Sequence, residues 1–179
     1  MLAKRQVELS LFAGFVAEAI LTTTSIDSTA LTSGRRPIPA AIAVVIRSNH
    51  VLLVKRANPP DKGRWGFPGG KIDFGESVVQ AAQRELLEET SICGQAQQVF
   101  TAVDVFDQKP TGELCQHFLL VAVLCRYLSG EPMGGDDALE AQWFPIDTLN
   151  SSELALSHDV TEVAREGARL AQSLESITP

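Results

Sequence analysis

The sequence predicts an α/β fold, specifically an α/β/α sandwich around a mixed β-sheet with an extra N-terminal helix. Two observations predict it. Short apolar and β-branched runs mix with helical patterns in an order unlike that of a doubly wound parallel sheet. A hydrophobic fraction of 45% over 179 residues supplies one core, which favours one domain plus an appendage. We therefore predict two regions, residues 1–37 and residues 38–179.

The N-terminal region combines a helical pattern with a linker composition. Apolar residues of the first 21 positions recur close to a 3.6-residue period, which predicts an amphipathic helix over residues 1–21. Residues 22–37 are rich in Thr, Ser and Gly and are predicted to be a linker. The first segment superficially resembles a signal peptide, but Glu8 and Glu18 interrupt it and no convincing cleavage site follows. We therefore predict a cytoplasmic protein.

The first half of the main region is predicted to contain a hairpin, a loop and a helix. Residues 40–46 form a continuous apolar run typical of a buried strand, and residues 51–56 return as its partner after a turn at 48–50. Prolines and glycines exclude a helix from residues 57–66. A helix is predicted over residues 76–90.

The second half of the main region is predicted to end on a helix that follows three strands. The predicted elements are strands at 99–106 and 114–128, a loop at 129–140, a short strand at 142–145, a helical turn at 146–149 and a closing helix at 158–174. The turn between the two long strands contains proline and glycine, as turns commonly do.

The acidic helix predicted over residues 76–90 is the most informative segment of the chain. Glu85, Glu88 and Glu89 stand at i,i+3 and i,i+4 spacings, so that their side chains project from one face. Like charges at these spacings repel by roughly 0.2–0.5 kcal/mol per pair. A hard divalent cation would offset this repulsion, and ligation by oxygen alone favours Mg²⁺ or Mn²⁺ over zinc.

Residues 70–92 resemble the Nudix box, Gly-x5-Glu-x7-Arg-Glu-U-x-Glu-Glu-x-Gly-U, in which U is a bulky aliphatic residue. Every defined position matches except one, where Ser91 stands in place of glycine. Because this position ends the box helix and often needs a positive φ, Ser91 is expected to cost about 1 kcal/mol. The resemblance implies that residues 38–179 form a Nudix hydrolase domain.

The resemblance also implies roles for the residues of the box. The implied metal ligands are the backbone carbonyl of Gly69 and the side chains of Glu85, Glu88 and Glu89, of which Glu88 and Glu89 also belong to the catalytic set. Arg84 would orient the glutamates through charge-assisted hydrogen bonds. Two roles are open for Glu76. Its carboxylate would either cap the helix N-terminus, where the helix dipole favours a negative charge, or contact Arg84 or a water near the metal.

The general base is left open. In several Nudix subfamilies the base, or an additional metal ligand, comes from a loop after the later strands. The corresponding loop here offers Asp136, Asp137 and Glu140, which would activate water or bind a further cation. The alternative is a solvated acidic loop. The pattern GxP…DDAxEAxWF in this segment resembles the ADP-ribose pyrophosphatase-like branch of the family.

Basic and aromatic residues near the box loop are candidates for substrate contact. The basic candidates for phosphate binding are Arg56, Lys62, Arg64 and Lys71. Trp65 and Phe67 would pack on a base or fill the core, and core packing is the favoured role for Phe67. Trp143 is predicted to be structural. The pair His158-Asp159 is predicted to cap the last helix rather than to act as a base.

Composition argues against several partners. A net charge of −7 without a basic stripe argues against duplex nucleic acid. Bound cations would still admit a polyanionic small substrate. Three cysteines, Cys93, Cys115 and Cys125, form no CxxC pair, and their odd number argues against a disulfide framework. No apolar run reaches about 18 residues, so no membrane span is expected.

The leading hypothesis is Mg²⁺-dependent hydrolysis of the pyrophosphate bond in a nucleoside diphosphate linked to another moiety, with ADP-ribose or a related sugar favoured. A MutT-like hydrolase of oxidised nucleoside triphosphates is the rival, because WGFPGGKIDFGE resembles that branch too. Pro110, eighteen residues beyond Ile92, is an imperfect match to a proline associated with ADP-ribose enzymes. A non-catalytic nucleotide sensor is a third class, against which the intact glutamates argue. A homodimer is a further expectation.

Overall fold

The computed structural model describes residues 35–151 and 153–177 of the chain. The predicted amphipathic helix of residues 1–21 lies outside the described residues, as does most of the predicted linker. The described strands are β1 Ile38–Arg47, β2 His50–Arg56, β3 Trp65–Gly66, β4 Gly69–Lys71, β5 Cys93–Gln108, β6 Leu114–Ser129 and β7 Ala138–Pro145. The described helices are α1 Val78–Thr90 and α2 Val160–Ile177, with a 3₁₀-helix at Ile146–Thr148.

The sheet is mixed, as predicted, and β1 lies at its centre. Strand β1 runs parallel to β6 and antiparallel to β2 and β4. Strands β5 and β7 pair antiparallel with β6 and β2, respectively. The main path through the sheet is β3-β2-β1-β6-β5. Because α1 lies in the long connection between the parallel strands β1 and β6, the crossover places the acidic helix against the sheet.

Two core clusters, one for each helix, confirm the predicted sandwich. Ala41 and Ala43 of β1 pack with Leu86 of α1 in one cluster. Ile42 and Val44 of β1 lie in the other cluster, together with apolar residues of α2. Successive strand residues point to opposite faces of the sheet, so β1 is buried on both sides. This double burial explains its continuous apolar run.

Helix α1 begins two residues later than predicted. Ser77 is its N-cap: the Ser77 Oγ accepts a hydrogen bond from the backbone N–H of Gln80, and the Gln80 side chain accepts one from the backbone N–H of Ser77. Glu76 therefore lies outside the helix. At the C-terminal end Ser91 has φ 58° and ψ 12°, the left-handed conformation for which the family has glycine.

Several predicted loop residues belong to strands, because backbone pairing extends past the apolar runs. Trp65–Gly66 pairs with β2, and Gly69–Lys71 pairs with β1, although both segments were predicted to be loops. Strand β5 begins at Cys93 rather than at residue 99, in a glutamine-rich stretch that pairs irregularly with β6. Pairing decides these boundaries, and composition gives no sign of them.

Strand β7 and helix α2 also differ from prediction. Strand β7 begins at Ala138 rather than at residue 142, so Glu140 lies in a strand opposite Lys55 and not in a loop. Helix α2 begins at Val160 rather than at His158. Neither helix within the described residues has the length and apolar composition that a bilayer span requires.

Candidate active site

A cavity of about 500 Å³ lies between the sheet, the box loop and the segment before α2. Its volume falls within the range of small-molecule sites, roughly 300–1,000 Å³. Its lining includes acidic residues and an arginine at the α1 end, two further cations, an apolar wall on β5 and β6, and the segment before α2. These residues are Arg84, Glu85, Glu89, Asp136 and Asp137; Arg56 and Lys71; Val103, Val105, Phe118 and Leu120; and Ser157, His158 and Asp159.

Arg84 is the centre of a hydrogen-bond network that holds three glutamates. Its Nε and Nη2 donate to the two carboxylate oxygens of Glu76 at 2.9 and 3.0 Å. Its Nη1 donates to Glu85 Oε1 at 2.7 Å and to Glu88 Oε2 at 3.0 Å. These contacts raise the pKa of Arg84 and lower the pKa of Glu76. Of the two roles open for Glu76, this geometry favours the contact with Arg84.

Glu85 and Glu89 are buried, with 9% and 6% of their surface exposed. Burial raises the pKa of both carboxyl groups, that of Glu89 to about 7. The hydrogen bonds from Arg84 to Glu85 and from the Gly69 N–H to Glu89 Oε2, the latter at 3.0 Å, oppose this rise. Glu88 differs from both, because 47% of its side chain is exposed. A cation at this face would stabilise the two buried charges.

The residues at this face fit a hard divalent cation that shares its coordination between protein oxygens, waters and substrate phosphates. Within residues 35–151 and 153–177, no three His, Cys, Asp or Glu side chains already form a metal cage. Mg²⁺ does not need a preformed cage, because waters and substrate phosphates commonly complete its coordination. Two glycines let the backbone of the box loop lie close to this face. A Cβ at Gly70 would collide with the Glu85 carboxylate, and a Cβ at Gly69 would collide with the Ala41 carbonyl.

Residues 130–137 form a loop fixed to the end of α1. The backbone N–H groups of Met133 and Gly135 donate to the carbonyls of Thr90 and Glu89, at 3.0 and 3.1 Å. The two acidic residues that follow, Asp136 and Asp137, line the cavity, and their charges contribute to the raised pKa values of Glu85 and Glu89. The structure therefore brings this predicted pair to the box carboxylates.

Five predicted charged residues do not line the cavity within the described part of the chain. Two of them, Glu76 and Glu88, still contact Arg84, which does line it. The other three are Lys62, Arg64 and Glu140.

The carboxylate of Glu140 accepts a hydrogen bond from Lys55 Nζ at 2.8 Å and does not line the cavity. Since neighbouring strand residues face opposite ways, Lys55 and Glu140 lie on the side away from Arg56. Arg64 also lies outside the lining, and its Nη1 donates to the Leu156 carbonyl at 2.8 Å. The structure therefore places neither Glu140 nor Arg64 with the box carboxylates.

The remaining cationic and aromatic candidates divide between the cavity and the core. Arg56 and Lys71 line the cavity, and their contact with phosphates stays a prediction. Phe67 lies in the core cluster next to α2, which confirms its packing role, although its edge also borders the cavity. Trp65 packs edge-on against Phe144, with ring centroids 4.7 Å apart.

The sequence did not indicate the apolar wall of the cavity or the position of the polar segment before α2. The sequence predicted two strands here, but it did not indicate which of their faces would border the acidic helix. His158 and Asp159 were interpreted as a cap. The Asp159 carbonyl does accept a hydrogen bond from the Val163 N–H at 3.0 Å, yet both side chains also line the cavity.

Comparison with known proteins agrees with this geometry. A family model described as NUDIX domain matches residues 36–164. An ADP-ribose pyrophosphatase of Methanocaldococcus jannaschii is 32% identical over 123 residues, which are 69% of this chain and 69% of that protein. An 8-oxo-dGTP diphosphatase of Escherichia coli is 28% identical over 120 residues, 66% of this chain and 88% of that protein. The crystal structure of a MutT NUDIX hydrolase from Burkholderia pseudomallei is similar with a TM-score of 0.62 at 30% identity, over 73% of this chain and 98% of that chain.

Proposed function

This chain belongs to the Nudix hydrolase family, and we propose that it hydrolyses the pyrophosphate bond of a nucleoside diphosphate linked to a sugar, with ADP-ribose as the favoured substrate. The observation that carries the proposal is the division of the cavity into a charged end and an apolar wall. A diphosphate flanked by two larger groups matches this division, because the anionic centre and the apolar ring then meet different surfaces.

Mg²⁺ is the proposed ion, with Mn²⁺ as the alternative, since hydrolases of this family generally need a divalent cation. Glu85, Glu88, Glu89 and the carbonyl of Gly69 would hold it. When bound, the ion would neutralise the diphosphate and lower the pKa of an attacking water.

The protein's own groups would bind the substrate, position the ligands and accept a proton. Arg56 and Lys71 offer positive charge to the diphosphate oxygens. Arg84 holds the box carboxylates in place through its four side-chain hydrogen bonds. A carboxylate of the box, or that of Asp136, would take the proton from a water that attacks phosphorus in line.

Two observations support ADP-ribose over other compounds of this class. The segment carrying Asp136 and Asp137 resembles the ADP-ribose pyrophosphatase-like branch. The Methanocaldococcus jannaschii relative, whose name is ADP-ribose pyrophosphatase, matches across 69% of both chains. The apolar wall of β5 and β6, which includes Phe118, would contact the adenine ring.

A second candidate is hydrolysis of oxidised nucleoside triphosphates. The Escherichia coli 8-oxo-dGTP diphosphatase supports it, because this chain matches 88% of that protein. Residues 65–76 support it too, because their sequence WGFPGGKIDFGE resembles the MutT branch. A non-catalytic sensor is disfavoured, since all three box glutamates and their arginine are present and mutually positioned. A cytoplasmic location and a homodimer stay predictions.

A substrate panel tests the proposal. Purified protein is incubated with Mg²⁺ and ADP-ribose, other nucleoside diphosphate sugars, 8-oxo-dGTP or dinucleoside polyphosphates, and the products are separated by ion-exchange chromatography. Matched reactions in EDTA are the control. We expect AMP and ribose 5-phosphate to be released fastest, from ADP-ribose. Fastest release of a nucleoside monophosphate and pyrophosphate from the triphosphate would overturn the substrate assignment, and no hydrolysis of any compound would overturn the catalytic one.

A further inference from the structure

We propose that residues 157–159, at the end of the cavity next to α2, form a subsite that binds the vicinal hydroxyl groups of a ribose. The inference rests on the proposed function and assigns the part of the substrate that this end recognises. Three polar side chains carry it: the hydroxyl of Ser157, the imidazole of His158 and the carboxylate of Asp159. All three residues line the cavity that holds the box carboxylates.

Ser157 carries an unsatisfied polar group. Its Oγ is buried and has no hydrogen-bond partner among the residues that the structure describes. Buried polar groups are almost always paired, so an orphan beside a cavity needs an explanation. The backbone at this position is fixed, because the Ser157 N–H donates to the Trp65 carbonyl at 2.8 Å. Rotation about the Cα–Cβ bond is therefore the movement that turns the hydroxyl towards a group in the cavity.

Gly66 of β3 lies next to this hydroxyl. A Cβ built at Gly66 would lie 3.4 Å from the Ser157 Oγ, which is an ordinary van der Waals contact. Side-chain atoms beyond that Cβ would lie beside the hydroxyl, whereas Gly66 places none there.

His158 and Asp159 supply acceptors beside the serine. His158 Nδ1 and Asp159 Oδ2 are 2.7 Å apart, which leaves Asp159 Oδ1 and His158 Nε2 without a partner in the described part of the chain. Asp159 has φ 60°, a left-handed conformation that non-glycine residues adopt rarely and that is common where function requires it. Its side chain is one-third exposed, so a ligand can reach it.

The chemistry of this group fits a diol better than a phosphate or a base. A carboxylate accepts hydrogen bonds from two adjacent hydroxyls, and acidic side chains bind ribose hydroxyls in this way in dinucleotide sites. The charge of Asp159 would repel phosphate oxygens. A base would gain more from the apolar wall, where the Phe118 ring lies with Val105 and Leu120.

The test compares ADP-ribose with its analogue that lacks the 2-hydroxyl of the terminal ribose, in wild-type protein and in Asp159→Asn. Asparagine keeps the size of the side chain and tolerates a positive φ. We expect wild type to prefer ADP-ribose in kcat/KM by about tenfold, the effect of one charge-assisted hydrogen bond. Asp159→Asn should raise KM for ADP-ribose by about that factor and KM for the analogue by less, because the analogue offers one hydroxyl instead of two, with kcat little affected.

A second subsite variant and one control variant complete the test. Ser157→Ala, which leaves the backbone and charge unchanged, should reduce the same preference by a smaller factor. Glu162→Gln removes an exposed carboxylate from the first turn of α2, outside the cavity, and should leave the preference unchanged. If wild type fails to distinguish the two compounds, or if Asp159→Asn weakens both equally, the subsite is wrong.

A parallel comparison of GTP with dGTP separates this inference from the proposed function. Hydrolysis confined to triphosphates would overturn the proposed function alone. In that case a preference for GTP that Asp159→Asn abolishes would support the diol subsite, and equal rates for GTP and dGTP would overturn it.

Discussion

The two ends of the cavity differ in how their polar groups are satisfied. At the α1 end, Arg84 donates to three glutamates, and the Gly69 N–H donates to Glu89. At the α2 end, His158 and Asp159 contact each other, while the Ser157 Oγ has no partner within the described residues. The protein itself therefore positions one end, whereas the other keeps hydrogen-bonding capacity for a ligand. Substitutions at the first end should affect structure and rate together, and those at the second should act through the substrate.

Glu89→Gln is expected to have the largest effect. Glutamine keeps the side-chain size and an oxygen for the Gly69 N–H, but it removes a ligand charge from the cation. We expect kcat with ADP-ribose and Mg²⁺ to fall by about 10²–10³-fold. Glu113→Gln, in an exposed pair with Lys109 in the turn between β5 and β6, is the matched control and should keep its rate. A near-normal rate for Glu89→Gln would contradict its assignment as a ligand.

The same variant should change the pH dependence of stability in EDTA. Burial raises the pKa of Glu89 from 4.5 to about 7 in the folded protein. Its contribution to folding is therefore fully present below about pH 4.5 and is lost as pH rises through 7. Relative to wild type, the unfolding free energy of Glu89→Gln should rise across this window by roughly 3 kcal/mol. Urea unfolding at several pH values measures it, and a pH-independent difference would show that Glu89 is not destabilised by burial.

Arg84→Lys should lower both the catalytic efficiency and the stability of the protein. Lysine keeps the charge but lacks the planar fork that contacts Glu76, Glu85 and Glu88 together. We expect kcat/KM to fall by about 10–100-fold and the unfolding free energy to fall by about 2 kcal/mol. Arg126→Lys, at an exposed arginine bonded to Gln95, is the control for urea unfolding and kinetics. Unchanged stability together with unchanged kcat/KM would refute the positioning role.

Ser157→Ala should have the smallest effect on stability, and unlike Arg84→Lys it should not lower the unfolding free energy. Removing an unsatisfied buried hydroxyl should leave the unfolding free energy unchanged or raise it by up to about 1 kcal/mol. Thr90→Val is the contrasting variant, because the buried Thr90 hydroxyl donates to the Leu86 carbonyl, and its loss should cost about 1 kcal/mol. Urea unfolding of both measures the contrast. A clear loss of stability in Ser157→Ala would show that its hydroxyl is already satisfied, and the comparison would then break down.

Features that depend on a few neighbouring residues followed from the sequence. The spacing of Glu85 and Glu89 fixes a common helix face whatever surrounds the helix. The position of Ser91, where the box has glycine, indicated the end of α1, and the structure has a positive φ there. The burial of β1 on both faces could be predicted because its run is apolar throughout.

Features that depend on distant partners were predicted less well. Strand β7 begins four residues early because it pairs with β2, and this pairing turns Glu140 away from the site towards Lys55. Asp136, only four residues before, faces the cavity because its loop is bonded to the end of α1. The sequence offered both residues as equivalent candidates, since nothing local distinguishes them.

The sequence by itself determined the family, the mixed sheet and the set of carboxylates on one helix face. Tertiary structure decided which of those carboxylates are buried, and hence the raised pKa of Glu89. It also decided that Ser157 and Asp159 share a cavity with Glu85, although more than seventy residues separate them along the chain. Helix periodicity is a local property, whereas desolvation and the face of a strand exist only once distant segments have packed together.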